Sequence, residues 1–234
     1  MTGKRFTTEM LAEPAPVPFD PASCARTLRI AGPDYEIALF GSFLTKLCSN
    51  QAPDMRLVMR AVTPKQALKD LLEGDVDLAL GHFPSFTKGV VTAPLYEETY
   101  RVAARFNHAR IAAGALDLET YLAQDHIIVS AGGGTTEIVD EILAQQGKKR
   151  RVVAAVPIFL SALAAVAGSE AIVTMPAHLI ALYAEYFHLH IHESPVAIPP
   201  FHISAAWRRG SHDPAAHWLV ERIKSEANFM PLTN

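Results

Sequence analysis

Apolar and polar residues along this chain recur with two periods, and the switches between them predict a series of helices and strands. The run Pro64-Lys-Gln-Ala-Leu-Lys-Asp-Leu-Leu-Glu-Gly-Asp-Val-Asp-Leu-Ala-Leu-Gly81 carries both periods. Ala67, Leu68, Leu71 and Leu72 repeat at helical spacing behind a proline suited to the first helical turn, and Gly74 stands where such a helix must stop. Val76, Leu78 and Leu80 then follow at the two-residue period of a strand, alternating with Asp75, Asp77 and Ala79. That strand delivers Gly81 and His82 to its carboxyl end, the edge at which open α/β sheets hold ligands.

The same reading from residue 27 onward predicts a strand over 27–31, a helix over 34–50 with Asp34 placed to cap it, a strand over 55–62, a helix over 65–73 and a strand over 76–81. Right-handed crossovers make this β-α-β-α-β series a parallel sheet with helices on both faces. A long extended segment over 90–106 carries the chain out of the unit. A second unit follows, with a helix over 117–123, a strand over 127–130, a glycine loop, a helix over 136–146, a strand over 151–156, a helix over 158–166, a strand over 171–174 and a helix over 176–186. Residues 196–207 form another extended segment, interrupted by Pro199 and Pro200, before a closing helix over 212–229 opened by Asp213-Pro214. The fold class is α/β, with two Rossmann-like lobes joined by two extended crossover strands that suggest a hinge. Residues 1–26 form a connector, 27–105 with 200–234 form lobe I, and 106–199 form lobe II. Pro14, Pro16, Pro18 and Pro21 give the connector an extended, polyproline-like character.

Composition narrows the function classes. A chain of 234 residues that is 50% hydrophobic and only 19% charged has the means for one large core or two smaller ones. A formal net charge of -3 argues against a broad nucleic-acid surface, which needs clustered Lys and Arg. Cys24 and Cys48 have neither metal-type spacing nor a framework of pairs, which fits a reducing cytoplasm. No secretory signal and no run of about 18 apolar residues is present, so export and membrane insertion are not expected.

The chain resembles the effector-binding domain of LysR-type transcriptional regulators. The resemblance rests on pieces spread over about 200 residues in a specific order: Phe19-Asp20-Pro21 with Arg26 to Ile30, Leu71 to Gly81, Pro94-Leu-Tyr-Glu-Glu-Thr-Tyr100, Val156-Pro157-Ile158-Phe159 and Ala171-Ile-Val-Thr-Met-Pro176. The branch it resembles most includes regulators of nodulation and of aromatic-compound degradation. The resemblance implies the fold of type 2 periplasmic binding proteins, a small anionic or aromatic effector bound between the lobes, no cofactor, and a homodimer or homotetramer with residues 38–47 near the interface. It also implies DNA contact only through an N-terminal winged helix-turn-helix, which these residues do not include. Residues 8–13 have the character of the tail of a linker helix.

Helix N-termini at the carboxyl edge of each sheet offer free N–H groups and partial positive charge to an anion. The candidate ligand-binding residues are Pro33, Asp34, Tyr35, His82, Phe83, Ser130, Gly132, Gly133, Thr135, Thr136, Pro157, Phe159 and Trp207. The loop Ser130-Ala-Gly-Gly-Gly-Thr-Thr136 is the strongest local signal, read either as an anion cradle or as a turn capped by Thr135; it lacks the lysine of a nucleotide-binding loop. Asp34 reads as a ligand contact or as a helix cap, and each aromatic as pocket wall or lobe packing. The resembling family usually has Ser or Thr where Pro33 stands, and its aromatic-acid-responsive members often have His where Ile158 stands, so a salicylate-like ligand does not follow.

Other motifs read blandly. His188, His190 and His192 fit solvent-facing positions better than a zinc site, so no metal is expected. Lys148-Lys-Arg-Arg151 fits a helix end better than a nucleic-acid patch. Glu97-Glu98 and Asp75/Asp77 do not have the character of acid/base couples, and no nucleophile motif is present, so no enzymatic activity is expected. A cytoplasmic sensory module is the leading reading. A freestanding small-molecule-binding protein of the same fold is the alternative, and an enzyme on that fold is the third.

Overall fold

A computed structural model describes residues 19–83, 87–111, 114–130, 132 and 134–227. The elements are β1 (Thr27–Gly32), α1 (Asp34–Gln51), β2 (Arg56–Ala61), α2 (Pro64–Glu73), β3 (Leu78–Gly81), β4 (Val90–Glu98), β5 (Tyr100–Arg105), α3 (Leu118–Leu122), β6 (Asp125–Val129), α4 (Ile138–Gln145), β7 (Arg151–Val156), α5 (Phe159–Ala167), β8 (Ile172–Pro176), α6 (Ala177–Phe187), β9 (Leu189–Glu193), β10 (Phe201–Arg208) and α7 (Pro214–Ala227), after a single 3-10 turn at Pro21–Ser23. The strands form two five-stranded sheets, ordered β2-β1-β3-β10-β4 and β7-β6-β8-β5-β9. In each, four strands run in one direction and the strand arriving from the other lobe, β10 or β5, runs antiparallel between two of them. No helix among the described residues is long and apolar enough to cross a membrane.

Local chemistry accounts for the first lobe. Thr63 caps α2 by accepting from the Gln66 N–H at 3.2 Å, Pro64 occupies the first turn, and Gly74 ends the helix at φ +85°, a conformation unfavourable to a side chain. Gly32 is required by closeness: a Cβ there would lie 2.7 Å from the Leu80 carbonyl oxygen on β3. One buried apolar cluster runs from Leu28 and Ile30 on β1 through Phe40 and Leu44 on α1 to Leu163, Leu179, Ile127 and Val173 of the second lobe. The lobes therefore share a core, with α1 packed on α5 and α6. The Tyr183 hydroxyl donates to the Ala38 carbonyl at 3.1 Å, so part of the helix expected to face a partner copy is used inside the chain.

Several boundaries differ from the sequence reading. The extended segment over 90–106 is two strands: β4 pairs in the first sheet and β5 in the second, so the crossing falls at Thr99 rather than after Arg105. Periodicity could not locate this break, because both strands are extended and half-buried. The other crossing lies between β9 and β10, and residues 194–200 are not strand. Asp34 is not the cap of α1: Pro33 holds that position and the Asp34 side chain reaches elsewhere. Glu137, not Thr135, precedes α4 as its cap residue. The linker-like residues 8–13 and prolines 14, 16 and 18 of the connector lie outside the described residues.

A candidate effector cleft between the lobes

Turns at the carboxyl edges of both sheets face one another across a cavity of about 620 Å³. Lobe I contributes the β1–α1 turn with Pro33, Asp34, Tyr35 and Glu36, the β2–α2 turn with Ala61 to Pro64, His82 after β3, and Phe201 and Ile203 of β10. Lobe II contributes Val129, Glu137 to Val139, Pro157 to Phe159, and Thr174 to Pro176, with Tyr100 at the crossing. Most of this surface is apolar, as small-molecule pockets generally are. Aromatic rings stand in two groups, Tyr35 with Phe159 at 5.8 Å, and Phe201 with Tyr100 at 5.3 Å and His82 at 5.5 Å. Ile138 and Ile158 add apolar surface while remaining exposed.

The polar groups of the cleft are mostly carboxyls, and they hold the chain to itself. Asp34 Oδ2 accepts from the Phe159 N–H at 2.8 Å, a bond from lobe I to the first turn of α5 in lobe II. Burial raises the Asp34 pKa, with hydrogen bonds from Phe159 and Leu160 opposing it. Glu98, fully buried at the end of β4, accepts through Oε1 from the N–H groups of Thr99 (2.8 Å), Ala177 (3.1 Å) and His178 (3.4 Å) and from His178 Nδ1 (3.0 Å). Its Oε2 accepts from the Tyr35 hydroxyl, which also bonds Tyr96. One carboxylate thus caps α6 and ties β4, α1 and α6 together beside the crossing.

Glu36 is also buried, and its Oε2 has no hydrogen-bond partner among the described residues. Desolvation pushes its pKa well above the ordinary carboxylic range, with the nearby Asp34 and Glu98 charges adding to it. Glu137 is raised to about 7 by burial, with Asp140 adding and Arg150 opposing. Behind it the buried Arg150 side chain donates from Nε to Asp140 Oδ1 at 2.9 Å and from Nη2 to Oδ2 at 2.8 Å. Asp140 Oδ2 also accepts from the Glu137 N–H at 2.8 Å, closing the start of α4. Tyr100 is pushed up to about 12, first by burial and then by the charges of Glu137 and Glu98.

The cavity brings together Pro33, Asp34, Tyr35, His82, Pro157 and Phe159 of the residues singled out from the sequence. Phe83 instead packs with Ala67, Leu71, Val76 and Val90 in a separate core under α2, and Trp207 lies edge-on to His217 at the far end of β10. Ser130 donates its N–H to the Val156 carbonyl at 2.8 Å; Gly132, Thr135 and Thr136 are exposed and not in the cavity wall. The helix begins after that loop, so its threonines are carried outward. Gly133 lies outside the described residues. Glu36, Glu98 and Arg150 were missed, because a carboxylate next to an apolar run, half of an acidic pair and one of four adjacent cations all look solvated in sequence.

The remaining motifs are scattered rather than assembled. His188 adopts the left-handed conformation that ends α6, His190 stacks on Phe106 at 5.3 Å, and His192 is buried with Nδ1 against the Gly114 carbonyl at 3.1 Å, so the three do not share a solvent face. Of the cluster at residues 148–151, Arg150 turns inward to Asp140 and Arg151 pairs with Asp125 at 2.5 Å, so neither serves the helix end as expected.

The model of the LysR substrate binding domain matches residues 23–228. The transcriptional regulator LinR of Sphingobium indicum is 30% identical over 208 residues, 88% of this chain and 68% of LinR. Nodulation protein D 3 of Mesorhizobium japonicum is 28% identical over 219 residues, 91% of this chain and 71% of that protein. The crystal structure of the regulatory domain of MexT, a transcriptional activator in Pseudomonas aeruginosa, superposes with a TM-score of 0.73 at 28% identity, covering 87% of this chain and 99% of that domain. Two sheets built to one plan, a cleft between them and a match over nearly the whole chain agree: this protein belongs to the LysR substrate binding domain family and is the effector-binding domain of a LysR-type transcriptional regulator.

Proposed function

We propose that this domain senses a small molecule in the inter-lobe cleft and passes its occupancy to DNA through a helix-turn-helix outside these residues. The observation that carries this reading is that one cavity takes its walls from both lobes and includes the Asp34–Phe159 bond between them. A ligand seated there touches the contact that sets the lobe-to-lobe relation. Transmission requires that it bind two arrangements of the lobes with different affinity. The assembly is a homodimer or homotetramer in the cytoplasm, and the ligand leaves unchanged, since regulators need recognition rather than turnover.

A thermal-shift screen of small aromatic alcohols, acids and amines, with each compound quantified afterwards by mass spectrometry, tests the proposal. A ligand at a hundred times its dissociation constant adds about 2.7 kcal/mol of stability. Ile203→Trp, which fills the cleft from β10, is expected to abolish the shift. Turnover of the compound, or a shift that survives this substitution, would overturn the reading.

A further inference from the structure

The cleft is built to refuse anions. Its described lining includes Asp34, Glu36 and Glu137 and neither lysine nor arginine. At three of the helix starts around the cleft one N–H group is already engaged by the chain's own carboxylates: Phe159 of α5 by Asp34 (2.8 Å), Ala177 of α6 by Glu98 (3.1 Å) and Glu137 ahead of α4 by Asp140 (2.8 Å). Arg150, the buried cation behind α4, is neutralised by its two-bond pairing with Asp140. An entering carboxylate or phosphate would leave water for a site with no cation in its described lining, and a buried charge without a partner is costly.

Glu36 supplies an independent pointer. It is 1% exposed, lines the cavity, and leaves Oε2 without a hydrogen-bond partner among the described residues. Buried polar atoms are normally satisfied, and an orphan on a residue that lines a cavity marks where a ligand atom would be rewarded. Burial favours the neutral form of this carboxyl, and a neutral carboxyl both donates and accepts. A hydroxyl matches that pair of roles without changing the charge of the site. The Tyr35–Phe159 and Tyr100–Phe201 pairs provide ring-shaped contact surface around it.

We propose that the cleft takes an uncharged, hydroxyl-bearing aromatic molecule and excludes carboxylates and phosphates, with the hydroxyl meeting Glu36 and the ring held by Phe159 and Phe201. The inference rests on the reading of this cavity as the effector site. It is tested with three molecules on one ring, 3-hydroxybenzyl alcohol, 3-hydroxybenzoate and 3-hydroxybenzylamine, titrated at millimolar concentration into the full chain while amide signals of Val129, Phe159 and Ile203 are followed by NMR. The alcohol is expected to bind at least about tenfold more tightly than the benzoate. Glu36→Met should remove most of that advantage, and the double substitution Asp34→Asn with Glu137→Gln should raise the ratio of benzoate to alcohol affinity several-fold. Benzoate binding as tightly as the alcohol, or the amine binding most tightly, overturns the ligand class and leaves the cleft as the effector site. Silence of these amides toward all three molecules overturns both.

Discussion

Replacing Glu98 by alanine withdraws one carboxylate from five donors at the point where the chain crosses between lobes. Two donors have a second partner: the Ala177 N–H also reaches the Thr99 carbonyl at 2.9 Å, and the Tyr35 hydroxyl also bonds Tyr96. The Thr99 N–H, the His178 N–H and His178 Nδ1 lose the acceptor they have here. Each buried donor left unsatisfied costs about 1–3 kcal/mol, and three donors lose their acceptor here. Because the losses share one site they do not add fully, so the expected total is about 3–5 kcal/mol. For a chain of this size that lowers the melting temperature by roughly 6–20 °C. Glu98→Gln keeps the volume and one acceptor, but presents an NH2 group where Tyr35 donates, and is expected to cost about 1–2 kcal/mol. Urea unfolding followed by tryptophan fluorescence, which reports lobe I through Trp207 and Trp218, and by circular dichroism provides the measurement. An alanine variant within about 1 kcal/mol of the parent would refute the assignment of Glu98 as the clamp between lobes.

Two further outcomes follow from the lobe II interior. His126 is fully buried, donates from Nε2 to the Tyr121 carbonyl at 2.9 Å, and has its pKa lowered to about 4 by desolvation and by Arg150. Neutral in the folded state, it takes up a proton on unfolding below its ordinary value of about 6.5, so stability falls as pH drops from 6.5 towards 4, by at most about 1.4 kcal/mol per pH unit. His126→Gln should flatten that part of the profile, and urea midpoints at pH 7 and pH 5 that change equally in parent and variant would contradict this. Arg150→Met leaves Asp140 without its buried partner and is expected to cost about 3–5 kcal/mol, read by thermal melting; pairing it with Asp140→Leu should recover part of the loss.

Legibility in the sequence divides along physical lines. The helix at residues 64–73 was readable because proline, apolar spacing and Gly74 all act within a few residues, and the capping threonine completes it. That Pro33, His82 and Phe159 line one cavity was readable because turns at the carboxyl edge of a parallel sheet converge by topology alone. Phe83 and Trp207 sit in the same kind of segment, yet the former packs under α2 and the latter against α7. Strand pleat and the local bend after Gly81, where φ is +145°, decide that, and neither is visible as a residue type.

The sequence by itself determined the alternation of strands and helices, the two-lobe plan and the family, since periodicity, turn residues and ordered short motifs are local properties. Only the tertiary structure decided where the chain crosses, at Thr99, and what the acidic residues do. Asp34, Glu36 and Glu98 are close in sequence to apolar runs but find their partners, or fail to find one, through segments tens to more than a hundred residues away: Phe159 for Asp34, Ala177 and His178 for Glu98, and none among the described residues for Oε2 of Glu36. A carboxyl's role depends on its burial and on the donors around it, and both are set when the two sheets close on each other.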